Sequence, residues 1–149
     1  MTDKDELVES LLHKICYVID FLPMRVPEQC RGRFWDVEEY FSQGAEHDRL
    51  VEGLVRIIIK LQCYHSFEIF CEHWYEDIGM EELAGLIKNV LVSRNKFMNI
   101  LSQDDKMLIT VSGSDLHISV YNPPMLAVAN LSSLASAEGL FMRRADSGT

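Results

Sequence analysis

Four residues between positions 63 and 73 carry side chains that bind zinc: Cys63, His65, Cys71 and His73. Thiolates and imidazoles are the ligands of tetrahedral zinc sites. If the segment is helical, the thiols lie on its apolar arc and the imidazoles lie towards its glutamate side, so the two ligand types point apart. A hairpin would bring each cysteine opposite a histidine, but its turn would fall on residues 67–69, which include no favoured turn residue. We therefore expect no metal; a small enzyme or metal-dependent protein that uses these four residues is the alternative hypothesis.

A second group combines carboxylates with aromatic rings. Asp36, Glu38 and Glu39 stand beside Trp35 and Tyr40. Such a mixture could line a carbohydrate site or supply general acid and base catalysis. The interpretation that we favour is a short amphipathic helix with a solvated acidic face.

Familiar catalytic motifs do not occur in this sequence. It has no glycine-rich phosphate loop, no G-x-S-x-G, no H-E-x-x-H and no calcium loop. A chain with four cysteines and five histidines offers cysteine and histidine pairs by chance, and none of the cysteines stands in a recognised nucleophile motif. We expect no cofactor, assign no catalytic residue and favour a non-catalytic protein over an enzyme.

The negative charge is concentrated in the first part of the chain. The net charge is −9, and residues 1–82 hold 18 acidic and 8 basic side chains, whereas residues 83–149 hold 5 and 6. No Lys or Arg occurs from Leu61 to Ile87. That stretch contains six acidic residues: Glu68, Glu72, Glu76, Asp77, Glu81 and Glu82. On a helical interpretation three of the glutamates stack at a spacing of four and repel one another. We expect the six residues to form a surface that binds a basic protein, because complementary charge speeds association and selects partners. A solvated acidic face is the alternative.

Size and composition predict an ordinary globular protein. A chain of 149 residues with 48% apolar and 25% charged residues fits a single domain over 1–149. The N-terminus is acidic, and no apolar run approaches the length of about 18 residues that would indicate a membrane span. We therefore expect a soluble, cytoplasmic protein with reduced thiols and no membrane contact. The net charge argues against nucleic acid as a ligand.

In small size, acidity, cytoplasmic address and lack of catalytic motifs, the chain resembles as a class the bacterial immunity proteins and antitoxins that cover basic toxins. The resemblance is carried by no motif. It implies a non-catalytic protein that binds a basic partner.

Helices are predicted to position most of these residues. The spacing of apolar residues, a cap at Asp3 or Thr2, and the positions of Pro23 and Gly44 predict helices over residues 3–22, 34–43, 48–61, 66–77 and 80–101. The β-branched residues 57–59 would also fit a buried strand, so residues 54–61 could take either form.

Strand patterns appear only near the C-terminus. Apolar residues alternate over 107–111 and again over 116–120, which predicts a β-hairpin preceded by a turn at Asp104-Asp105. Residues 122–124 start a helix that ends at Gly139, and residues 140–142 form a last strand.

The predicted fold class is α+β. A helical N-terminal two thirds packs on a small C-terminal sheet of three or four strands, built from a β-β-α-β unit, and residues 143–149 form a frayed tail. A structural or adaptor module whose contact surface is the exposed edge of this sheet is a third functional hypothesis.

Overall fold

The computed structural model describes residues 2–27, 29, 31–113 and 115–145. The helices within these residues are α1 (Asp3–Leu11), α2 (Arg33–Phe41), α3 (Gly44–Leu61), α4 (Met80–Val92) and α5 (Met125–Ala137). The strands are β1 (Cys16–Asp20), β2 (Glu68–Cys71), β3 (His73–Tyr75), β4 (Phe97–Ser102), β5 (Met107–Ser112), β6 (Ile118–Tyr121) and β7 (Phe141–Arg144).

The strands form one antiparallel sheet in the order β3-β2-β4-β5-β6-β1-β7. The first strand of the chain is inserted between β6 and β7, where Tyr17 pairs with both Val120 and Arg144. The fold is α+β, with strands spread through the chain. The prediction of a helical N-terminal two thirds on a sheet of three or four strands was wrong, because β1 to β4 all precede position 103.

The two faces of the sheet are covered unequally. On the face that we call the helical face, buried residues of α3, α4 and α5, such as Ile58, Ile87 and Leu131, share one core with Ile100 and Ile109 of the strands. The opposite face, which we call the open face, carries only α1 among the described helices that pack on the sheet, in a separate small cluster. That cluster contains Val8, Leu11, Leu101 and Leu108.

The first helix is half as long as predicted. Thr2 caps it as expected, because its side chain accepts from the backbone of Asp5 while the Asp5 carboxylate accepts from the backbone of Thr2. The helix then ends at Leu11, and the segment predicted to continue it forms β1, in which Ile19 is fully buried. Pairing with two strands distant in sequence outweighs the helical spacing of this segment.

Residues 66–77 are a β-hairpin, so the helix predicted here was wrong. β2 and β3 are joined at Glu72, whose φ is +69°, and Phe70 faces Trp74 across the hairpin with their ring centroids 5.3 Å apart. The turn does not fall on residues 67–69, which lack favoured turn residues, but at Glu72. In its left-handed conformation, Glu72 lies between the paired residues Cys71 and His73.

The helix predicted from Met80 ends at Val92 instead of Leu101. The hydroxyl of Ser93 donates to the Val90 carbonyl at 2.7 Å and accepts from the Lys96 backbone at 3.2 Å, which turns the chain out of the helix. The residues that follow form β4, a central strand between β2 and β5.

The remaining elements largely follow the sequence. α2 and α3 are confirmed as helices, although Gly44 begins α3, with a φ of +61°, and does not close α2. The hairpin of β5 and β6, helix α5 and strand β7 are confirmed. Residues 143–144 pair with β1, so they are not part of a frayed tail, and residues 146–149 and Ser114 of the predicted turn lie outside the described residues. No helix among the described residues is long and apolar enough to cross a membrane.

Candidate functional site

Five of the six acidic residues singled out in the sequence are exposed. They run from the turn of the first hairpin to the first turn of α4, and we call them the acidic surface: Glu72, Glu76, Asp77, Glu81 and Glu82. Two of them lie at the N-terminus of α4, where the helix dipole favours negative charge. The predicted helical stack at a spacing of four does not exist, because its members lie on strands, a turn and a loop.

Glu68 differs from the other five. It is half-buried, lies 2.6 Å from the Lys4 ammonium and accepts a hydrogen bond from Gln103. Burial alone would raise the pKa of Glu68, but the hydrogen bonds from Lys4 and Gln103 outweigh burial and hold the pKa below its ordinary value. Lys4 also lies 2.9 Å from Glu76. A base from α1 therefore compensates two of the glutamates, which the local sequence did not reveal.

The other four members of the acidic surface make no ion pair or side-chain hydrogen bond with any described residue: Glu72, Asp77, Glu81 and Glu82. They flank β3, which is an edge strand of the sheet. Charged side chains beside an exposed edge also discourage unwanted strand addition. The acidic surface therefore concentrates negative charge beside this edge.

A groove on the open face lies next to the acidic surface. It has a volume of about 550 Å³ between α1 and the strands β2 and β4, and we call it the α1 groove. Phe70, Phe97 and Leu12 supply apolar walls, and Asp5 and Glu9 supply carboxylates on the helix side. Sequence reasoning missed this groove, since it depends on the early end of α1 and on two strands that were predicted as helix.

Two contacts join the groove to the acidic surface. The indole Nε1 of Trp74 donates to Asp5 at 3.3 Å, and the Lys4 ammonium lies 5.3 Å from the centre of the Trp74 ring while pairing with Glu76. The acidic surface and the α1 groove therefore form one continuous region at the β3 end of the sheet.

The four zinc-type residues do not come together. Cys63 is exposed after α3, Cys71 is buried on the helical face, and His73 is exposed with its ring 4.1 Å from that of Tyr75. His65 instead bonds Asp105. Within the described residues no group of three or more His, Cys, Asp or Glu side chains could hold a metal ion.

His65 belongs to a small polar cluster. Its Nδ1 lies 2.5 Å from Oδ2 of Asp105, and the Ser102 hydroxyl donates to the same oxygen at 3.1 Å. The hydrogen bond from His65 holds the pKa of Asp105 below its ordinary value. In a hydrolase triad the histidine must contact the serine, whereas here both contact the carboxylate. The cluster connects the loop after α3 to the turn between β4 and β5, and it could not be predicted because His65 is 40 residues from Asp105.

Cys16 and Cys71 are poor nucleophiles in this fold. Burial raises the pKa of Cys71, and the nearby charge of Glu72 raises it further. Burial also raises the pKa of Cys16 on β1. A nucleophilic cysteine needs a lowered pKa to form thiolate at neutral pH. Cys30 lies outside the described residues.

The carboxylates and aromatic rings of α2 line two depressions. Trp35 and Glu38 line a cleft of about 880 Å³ towards the C-terminal end of α4, Asp36 and Tyr40 line a smaller one of about 400 Å³, and Glu39 lines both. α2 buries no residue, in keeping with the expected solvated face. None of its three carboxylates bonds another described side chain, so no acid and base pair is held in position there.

Comparisons of the chain with protein-family models, curated proteins and solved structures found no match. No relative therefore supplies an activity or a set of site residues. The functional argument depends on the chemistry of the acidic surface and the α1 groove.

Proposed function

We propose that this chain is a non-catalytic binding protein whose partner is a basic protein, in the manner of the immunity proteins and antitoxins that it resembles as a class. The observation that carries the proposal is the set of four exposed carboxylates beside an edge strand that form no ion pair with the part of the chain that the structure describes. A net charge of −9 gives the whole molecule an attractive field for such a partner.

Unpaired like charges are unfavourable for the isolated fold. Like charges repel one another, and these four carboxylates have no ion pair among the described residues to offset the repulsion. A partner that brings Lys or Arg side chains to this surface removes the repulsion and adds charge-assisted hydrogen bonds. The free energy of binding then includes the relief of repulsion within the free protein.

Catalysis has weaker support. The His65, Asp105 and Ser102 cluster lacks the order of contacts that activates a serine, and the pKa of two described thiols is raised. The carboxylates of α2 lack positioning partners among the described side chains. Each of these arrangements is better suited to structure than to chemistry.

The test reverses charge on the acidic surface without breaking a contact. Glu72→Lys with Asp77→Lys changes two exposed residues that have no ion pair among the described residues. The matched control, Glu39→Lys with Asp48→Lys, changes the charge equally at exposed residues of α2 and α3. Glu39 lines the cleft at the C-terminal end of α4, a helix of 13 residues and about 20 Å whose N-terminal end carries Glu81 and Glu82. All variants are expected to keep the thermal midpoint of the wild type within a few degrees.

Each protein is used to capture partners from the source organism at low and high salt, and association with the captured basic protein is then timed. We expect the surface variant to lose at least about tenfold in association rate at low salt and the control to lose much less. Equal rates for the wild type and the surface variant at low salt would refute the proposal.

A further inference from the structure

The open face of the sheet is wide enough for a second helix. Seven strands spaced about 4.8 Å apart span about 29 Å, whereas a helix with its side chains is about 10 Å across. α1 is the only described helix on that face; it packs on Leu101 of β4 and Leu108 of β5, and its Lys4 pairs with Glu68 at the start of β2. Phe97, at the start of β4, remains exposed.

The α1 groove has the features of an interface core. Phe97 is 55% exposed and Leu12 is 42% exposed, although both stand beside the buried cluster under α1. The rings of Phe70 and Phe97 lie 6.2 Å apart, and Trp74 contacts Phe70 from the other side. Aromatic residues grouped in a concave site supply most of the binding energy in many protein interfaces.

The charge on the groove wall indicates the occupant. Asp5 and Glu9 are one turn apart on α1 and both line the groove, and no described Lys or Arg side chain lines it. Asp5 accepts hydrogen bonds from Thr2 and Trp74, and Lys4, the nearest base on α1, is held by Glu68 and Glu76. Glu9 is therefore the exposed carboxylate available to an occupant, which satisfies both walls if it has apolar side chains towards the strands and positive charge towards α1.

We propose that the α1 groove binds an amphipathic helix that carries large apolar side chains on one side and Lys or Arg on the other. The inference depends on the proposed function, because this helix would belong to the basic partner that meets the acidic surface. Helix binding in an apolar groove uses anchors at helical spacing, and here Phe97, Phe70 and Leu12 would receive them.

The experiment uses the full chain labelled with ¹⁵N and a synthetic 18-residue peptide of Leu and Lys at helical spacing. Amide chemical shifts are followed as the peptide is added. We expect saturable changes at residues 5–12 and 97–99. Two control peptides, one with Glu in place of Lys and one with Ser in place of Leu, are expected to cause no saturable change at these positions.

Two variants locate the binding. Phe97→Thr, which keeps a strand-forming residue, is expected to lower the affinity for the Leu and Lys peptide at least about tenfold, because one aromatic contact is lost. The matched control is Phe141→Thr, which removes an aromatic side chain that is 43% exposed on β7, at the other edge of the sheet, and is expected to leave affinity unchanged. Glu9→Lys reverses charge on the groove wall without touching the strands and is expected to weaken binding as well.

The proposal is overturned if the amide chemical shifts of residues 5–12 and 97–99 do not change when the Leu and Lys peptide is added. It fails as well if neither Phe97→Thr nor Glu9→Lys lowers the affinity for this peptide, or if the Leu and Glu peptide binds with equal affinity. It is also overturned if sedimentation shows a dimer of the free chain that Phe97→Thr dissociates, since a second copy would then occupy the groove. Shifts confined to residues 72–82 would refute the groove while leaving the proposed function intact. Association of the captured partner that is unchanged by the charge-reversed surface, together with peptide binding that Phe97→Thr weakens, would refute the proposed function while the groove remains a peptide site.

Discussion

An ion pair between Arg56 of α3 and Glu138, just after α5, joins the two helices. Nε and Nη2 of Arg56 donate to the Glu138 carboxylate at 2.7 to 3.0 Å, and the Lys60 ammonium is 3.7 Å away. The Glu138 side chain is 10% exposed, whereas that of Arg56 is 48% exposed. The hydrogen bonds from Arg56 hold the pKa of Glu138 below its ordinary value.

We predict that removing Arg56 costs more stability than neutralising Glu138. Arg56→Met leaves a nearly buried carboxylate whose remaining base, Lys60, is farther away and half-exposed. Breaking a fully buried pair costs 3–5 kcal/mol, and the solvent access of Arg56 reduces the expected loss to about 2 kcal/mol. Glu138→Gln keeps the shape of the side chain and leaves a guanidinium that water can reach, so we expect a loss of about 1 kcal/mol.

The assay is urea unfolding of the wild type, both single variants and the double variant. The double variant is expected to be more stable than Arg56→Met alone, because it buries no unpaired charge. The folded-state pKa of Glu138 is lowered, so its stabilising effect is complete above the ordinary carboxyl pKa of about 4.3 and is lost as pH falls through the lowered value. The penalty of Arg56→Met should shrink over the same range. A loss from Glu138→Gln equal to or larger than that from Arg56→Met would refute the reasoning.

Two further predictions concern the loops that join these elements. Gly113→Ala is expected to lower the free energy of unfolding by more than about 2 kcal/mol, because an added Cβ would lie 2.4 and 2.5 Å from the hydroxyl and carbonyl oxygens of Ser93. Gly85→Ala is the comparison: its Cβ would lie in open space on α4, so it should stabilise the fold by up to about 1 kcal/mol. Similar urea midpoints for the two variants would contradict the close approach. The pKa of Asp105 is lowered in the folded state, so Asp105→Asn should have its full destabilising effect above the ordinary Asp pKa of about 3.9 and a progressively smaller one as the pH falls through the lowered value. A difference in unfolding free energy that does not change with pH would exclude the ionised contact.

Elements whose partners are close in sequence could be predicted. The long apolar stripe of α3, the alternation in β5 and β6, and the proline-led start of α5 all depend on neighbours within a few residues. For α3 the length of the pattern decides between helix and strand, because a strand of 18 residues would be unusual. Local physical chemistry is sufficient in these segments.

Strands that pair over long distances gave no clear local signal. β1 contacts residues more than 100 positions away, and its apolar residues fit a helical spacing equally well. β4 is apolar on both sides: Ile100 faces the helical layer, whereas Leu101 faces α1 on the open side. A strand covered on both faces loses the alternation by which strands are recognised.

The same limit applies to the candidate site. The exposure of Glu72 and Asp77 follows from the composition of their segment, but the ion pairs of Lys4 join residues more than 60 positions apart. The α1 groove could not be predicted, because Phe70 and Phe97 belong to strands that the helical spacing concealed. The acidic residues could be recognised in the sequence, whereas the α1 groove could be found only once the order of the strands was known.

The acidic surface and the α1 groove would affect different steps of binding. Exposed charges act at a distance and mainly set the association rate, with a strong dependence on salt. Buried aromatic contacts form only after docking and mainly set the dissociation rate. A partner that uses both should therefore associate more slowly when Asp77 is reversed and dissociate faster when Phe97 is truncated. Two contacts connect these regions: the ion pair of Lys4 with Glu76 and the hydrogen bond from Trp74 to Asp5. A bound helix that displaced Lys4 would therefore leave the Glu76 carboxylate free to pair with a base elsewhere on the partner.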